Sequence, residues 1–222
     1  MRGSRGVLIA CVAVVVVCIV ALSATRDGSP PATPEAIGAM GTPPVASAPA
    51  GCDVPPRPMS FLETLVDAPE PDVTPAPIRG VPDGPSVDPA TRTEVAEVVA
   101  TLIACTNAGD LLRAFALYED GYLRRLYDQD GVMSAEIAHE LVVSFATPEP
   151  VSSDRRWVLV GLPVSRLMDD GRVAVVIETN GGAEDEDEDT ELGLLVLSRA
   201  ADGRWLVVDG RAGLDRDELP AA

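Results

Sequence analysis

A chain of 222 residues carrying 35 acidic and 17 basic side chains, all of the latter arginine, has a formal net charge of −18. Phosphate backbones and anionic lipid surfaces repel such an excess, which argues against nucleic acid as a partner. The length admits one ordinary domain with extensions, and a single histidine with no CxxC pair argues against zinc.

The first 24 residues read MRGSRGVLIACVAVVVVCIVALSA. Arg2 and Arg5 form a positive flank, and Val7 to Ala24 then run without a charge. That run exceeds a signal-peptide core of about 7–15 residues and reaches the lower limit, about 17, for crossing a bilayer. No Pro or Gly interrupts it, which favours an uncleaved single-pass transmembrane anchor at residues 1–25. The alternative is a signal peptide cleaved near Ala21-Leu22-Ser23, giving a secreted chain. Leu8-Ile9-Ala10-Cys11 imitates a lipoprotein box, but too few apolar residues precede Cys11 to complete one. With the arginines retained inside, everything after residue 25 lies outside the cytoplasm.

That placement governs the four cysteines. Cys11 and Cys18 sit in the apolar run and serve as small hydrophobes. Cys52 and Cys105 are then an even pair in an oxidising compartment, and a disulfide between them is expected. Residues 26–51 are a Pro/Ala-rich spacer with too little apolar mass for a core, expected to be disordered. Residues 52–88 stay Pro-rich around one island, CDVPPRPMSFLETLVD. There Ser60 and Glu63 have capping-box spacing, and Phe61, Leu62, Leu65 and Val66 predict a short helix stapled to the domain through Cys52.

From residue 88 the pattern changes. Asp88 is placed to cap a helix with Pro89 at its first position. Val95, Val98, Leu102 and Cys105 then mark one face of a long helix. Gly109 suits a left-handed C-cap, and Asp110 caps a second helix, LLRAFALY, burying Leu111, Leu112, Phe115 and Tyr118. YEDGYLRRLYDQDG reads as a link to a third helix from Ser134, where Ile137, Leu141 and Phe145 recur every fourth residue. His139 falls on the opposite, solvent side of that helix. After Pro148 the period becomes two: RRWVLVGLPVSRLM, an Asp169-Asp170-Gly171 turn, RVAVVIET, then ELGLLVLS, an Ala201-Asp202-Gly203 turn and RWLVVD. Pro163, without a ladder donor, predicts a bulge or bend in an edge strand. The order is α+β: three helices packed in a curved four-stranded antiparallel sheet over residues 89–212. Residues 213–222 read as a frayed tail.

CTNAGDLLRAFALYEDGYLRR, with the closing strands RVAVVIET and DGRWLVVD, resembles the nuclear transport factor 2-like superfamily, called SnoaL-like in bacteria, over roughly residues 89–211. The resemblance implies a cone, a curved sheet wrapped on helices with a pocket at its wide end. Its members include isomerases, dehydratases, cyclases, transport adaptors and exported proteins of unknown role. Its enzymes place a carboxylate base inside the cone, often with Tyr or His. Here Asp120, Asp128, Glu178 and Asp209 are the carboxylates considered, each near a turn or strand end. Tyr118, Tyr122, Trp157 and Trp205 are candidate pocket-wall residues, with core packing as the plainer role.

Glu184 to Asp189 alternate Glu and Asp. Asp185, Asp187 and Asp189 copy the first acidic positions of an EF-hand loop, but Thr190 stands where Gly is needed and Val196 where a bidentate Glu is needed. A solvated hairpin loop is the expectation. The function expected is an exported, membrane-tethered binding module without catalysis, metal or cofactor; the alternative is a small-molecule isomerase, dehydratase or cyclase using a pocket carboxylate. The partners implied are the membrane, a small apolar ligand and a second copy forming a homodimer through the sheet.

Overall fold

A computed structural model describes residues 50–67, 78–127, 135–145, 147–181 and 190–220. The expected anchor, the spacer up to residue 49, Asp128 and the acidic run lie outside the described residues. Within them the chain is α+β, with a four-stranded antiparallel sheet in the order β1-β2-β3-β4 and several helices.

The first element is α1, Phe61–Asp67. Phe61, Leu62 and Leu65 are buried, which explains the apolar doublet-and-gap of FLETL. Cys52, just upstream, is joined to Cys105 by a disulfide with a Cα–Cα distance of 4.9 Å, and both residues are fully buried. The segment is therefore stapled onto the domain, as the sequence led us to expect.

Helix α2 spans Pro89–Asn107. The Asp88 carboxylate accepts the Ala90 and Thr91 N–H groups, and Pro89 occupies the first turn, where its missing N–H costs nothing. Val95, Val99, Leu102 and Cys105 form its buried stripe. At its end Gly109 takes φ +67°, and the Asp110 N–H donates back to the Cys105 carbonyl. Asp110 then caps α3, Leu111–Phe115, by accepting the Arg113 N–H. Arg113 is itself buried and ion-paired with Asp110 at 2.9 Å while donating to the Val54 carbonyl. Helix α3 is shorter than the sequence suggests. Leu117 and Glu119 leave it to hydrogen-bond Val207, so Tyr118 lies on a short parallel bridge.

The stretch read as a link contains a helix, α4, Asp120–Tyr127. Among the described residues, the helical part of the domain thus has four α-helices where three were expected. Tyr122, Leu123, Leu126 and Tyr127 have the three- and four-residue spacing of a buried face, and Tyr122 and Leu123 are buried. Helix α5, Ala135–Phe145, follows, with Leu141 and Phe145 buried, His139 exposed, and α1 packed against it.

The strands are β1 (Val158–Leu167), β2 (Val173–Asn180), β3 (Glu191–Arg199) and β4 (Trp205–Ala212). Strand β1 is an edge, and its pairing with β2 shifts register on both sides of Gly161, next to the exposed Pro163. A further shift interrupts β3–β4 between Val196 and Leu197. Such bulges bend and twist a sheet.

Both faces of the sheet are buried, so β2 and β3 read as apolar runs more than alternations. Val173, Val175, Leu195, Leu197 and Val207 face the helices. Ala174, Val176, Leu192, Leu194 and Val196 face the other way, beneath Ile78, Val81, Leu214 and Leu219. Fully burying a side chain such as Leu194 stabilises the fold by about 1.5–3 kcal/mol. The tail is accordingly docked where fraying was expected. Leu214 is buried, Arg211 forms a two-pronged pair with Glu218, and Asp215 and Glu218 close a capping box. The packed body extends beyond residues 89–212 on both sides.

Candidate functional site

Between the helices and the inner face of the sheet lies a cavity of about 130 Å³. At about 30 Å³ of liquid per water, that is space for roughly four waters, or for a ligand about the size of benzene. Leu102, Ile103 and Thr106 of α2 form one wall. Phe115, Tyr118, Leu126 and Tyr127 form the next, and Trp157 closes a third side. Ile177 and Thr179 of β2, with Glu191, Gly193 and Leu195 of β3, form the sheet wall. Thr179 pairs with Glu191, and Ile177 with Gly193, across the two strands. Gly193 keeps this wall low: a Cβ there would come within 3.3 Å of Ile177.

The corner between α2 and α3 positions Trp157. Asn107, the last residue of α2, donates its amide N–H to the Trp157 carbonyl at 2.8 Å and accepts the Trp157 N–H at 2.9 Å. Phe115 orders the aromatic wall, meeting Tyr118, Tyr127 and Phe145 edge to face at centroid distances of 6.5, 5.9 and 5.3 Å. These geometries are the favourable ones for aromatic quadrupoles.

Of the four aromatic residues singled out from the sequence, the structure brings Tyr118 and Trp157 to the cavity. Tyr122 stacks on Tyr118 at 5.7 Å but does not line the space. Trp205 is elsewhere. Its indole N–H donates to Glu94 at 2.9 Å, the Arg199 guanidinium lies over its ring at 4.6 Å, and Arg199 is paired with Glu94. The indole N–H is the main reason the Glu94 carboxyl is held below its ordinary range, with Arg199 adding to it. Trp205 therefore joins α2 to β4 as a core residue.

Of the carboxylates considered from the sequence, Asp120, Glu178 and Asp209 do not line the cavity, and Asp128 lies outside the described residues. Asp120 is half exposed and paired with Arg57 at 2.6 Å. Glu178 is paired with Arg216 at 2.9 Å. Asp209 is buried, but its oxygens accept the Ile78 and Gly210 N–H groups. The carboxylate that does line the cavity is Glu191, which sequence reasoning passed over as the end of the acidic run. It stands at an even interval from Leu195 and Leu197, so a period-two reading of β3 carries it to the inner face.

The electrostatics of the cavity follow from how far its polar groups are buried. Burial pushes the Glu191 carboxyl above its ordinary value, because a low dielectric disfavours the charged form. Burial also pushes the Tyr118 phenol up, and the Tyr127 phenol well up, so both are neutral donors and acceptors. The Tyr127 hydroxyl is buried without a hydrogen-bond partner. None of the ion pairs among the described residues includes Glu191. Chemically, the site offers a half-open apolar pocket whose described lining includes one carboxyl. Among the described residues no three His, Cys, Asp or Glu side chains come together as metal ligands. No protein family, curated protein or solved structure matches the chain.

Proposed function

We propose that this chain is an exported, membrane-tethered binding module of the nuclear transport factor 2-like type, whose cone-shaped pocket takes a small apolar ligand. The observation that carries this reading is the cavity itself. Protein interiors pack to crystal-like density, and an empty space lined by apolar side chains destabilises a fold. Here the space is bounded by Gly193, Ala114, Ala212 and Gly213, positions where larger side chains would fill it. Retention of that space is what a binding site requires.

The bulges in β1 and at Val196/Leu197 support the curled sheet that a cone needs. The apolar run Val7–Ala24 behind Arg2 and Arg5 supports the tether. Exposed Val158 and Val160 on the edge strand β1 support pairing of two copies there.

Native mass spectrometry of the protein released from membranes tests the reading. A co-purified small molecule of roughly six to nine heavy atoms is expected, since an apolar cavity of about 150 Å³ holds benzene. An empty protein that also fails to take up apolar probes overturns it.

A second reading is favoured by one observation. Glu191 and Tyr118 line the same cavity, a carboxyl and a phenol as proton-transfer chemistry on an isomerase, dehydratase or cyclase substrate would use them. Turnover of a bound ligand that stops in Glu191→Gln while binding persists would establish it.

A further inference from the structure

The cavity also specifies the charge of what it holds; this inference rests on the binding reading above. Its sheet wall carries Glu191, and among the described residues no arginine lines the space. A partly buried carboxylate without a counter-charge among these lining residues is destabilising until a cation arrives. An anionic ligand would add a second negative charge beside the first, in a chain already at −18. Opposite the sheet, Tyr118, Tyr127, Phe115 and Trp157 supply aromatic rings, a class of side chain that attracts cations. The remaining walls, Leu102, Ile103 and Ile177 among them, are apolar.

We infer that the ligand is a protonated primary or secondary amine on a compact apolar body, its ammonium held between Glu191 and the aromatic wall. A neutral alcohol of the same shape leaves the carboxylate uncompensated. A carboxylic acid opposes it.

The test uses three matched probes, 2-phenylethylamine, 2-phenylethanol and phenylacetate. Each is titrated calorimetrically into the full chain held in lipid nanodiscs, with empty nanodiscs as the blank. A charge-assisted contact made in a partly buried site should favour the amine over the alcohol by about tenfold or more. Phenylacetate should bind weakest. In Glu191→Gln the preference for the amine over the alcohol should vanish, an unchanged circular-dichroism spectrum showing that the variant is folded; a preference that survives in the folded variant overturns the inference. Equal binding of amine and alcohol to the unaltered chain, or tightest binding of phenylacetate, overturns the inference and leaves the binding reading intact. If none of the three binds, the binding reading fails with it.

Discussion

Cys52 and Cys105 lie 53 positions apart in sequence and 4.9 Å apart at their Cα atoms, and the bond between them fastens the α1 segment to the inner face of α2. Closing a loop of that length stabilises the fold by about 4 kcal/mol in the chain-entropy account. The pair Cys52→Ser with Cys105→Ser should lose most of that under oxidising conditions, read as a fall in the denaturant midpoint. Wild-type protein that yields two reactive thiols from these positions in oxidising buffer would contradict the bond.

The same segment is held a second way. Arg57 donates to the Phe115 carbonyl at 2.9 Å and the Tyr118 carbonyl at 2.7 Å, pairs with Asp120, and lies 3.9 Å over the Phe61 ring. Arg57→Ala removes partners from two part-buried carbonyls and should cost about 2 kcal/mol. Because Arg57 and the disulfide restrain one segment, their losses should not add. A double-mutant cycle by urea unfolding measures the coupling, and strict additivity would refute a shared restraint.

Two glycines separate backbone conformation from crowding. Gly109 and Gly203 both have positive φ, +67° and +87°. A Cβ at Gly109 would lie 2.0 Å from the Glu149 carbonyl oxygen, whereas one at Gly203 meets nothing within 4 Å. Gly203→Ala should cost only the left-handed penalty of about 1–2 kcal/mol. Gly109→Ala must also move the backbone and should exceed it clearly in thermal melts. Equal losses would mean that the corner between α2 and α3 yields freely.

Glu191 gives a pH signature in stability. Its carboxyl is raised above the ordinary value, so the native state holds that proton more tightly than the unfolded chain does. Stability is therefore lost as pH rises from the unfolded value through the raised one, and the deficit persists above it. Glu191→Gln has no such deficit and should melt higher than wild type at about pH 7, with the difference closing below about pH 4. Tyr118 and Tyr127, the other titratable groups lining the cavity, stay neutral over this range. Melting curves from acid to neutral pH decide it; a difference that does not vary with pH would point to packing alone.

Local chemistry made much of the fold legible. Asp88-Pro89 starts α2, Gly109-Asp110 turns the corner, and the Gly171 and Gly203 turns bound the strands, because each depends on a few adjacent residues. The disulfide was legible from the parity of Cys52 and Cys105 outside the apolar run. Helix α4 was hidden by Gly121 and its acidic flanks, although its Tyr122–Leu126 spacing was helical. The cavity was half legible. Tyr118 and Trp157 reach it, but Trp205 was drawn to Glu94 and Arg199, partners that only the packing of α2 against β4 brings near. Glu191 was obscured by the acidic residues beside it. The cover on the outer sheet face comes from Ile78, Val81, Leu214 and Leu219, positions remote in sequence with no shared periodicity.

The position of the staple determines how the domain bears load. Tension applied through residues upstream of 50 enters the packed body at Cys52, before it reaches α1. It passes through a covalent bond into the middle layer, at the last turns of α2, and hydrogen bonds at the margin carry none of it first. A pull from that direction cannot peel the outer segment away like tape; it must shear the long helix from the sheet. Reduction of one bond would exchange the second mode of failure for the first.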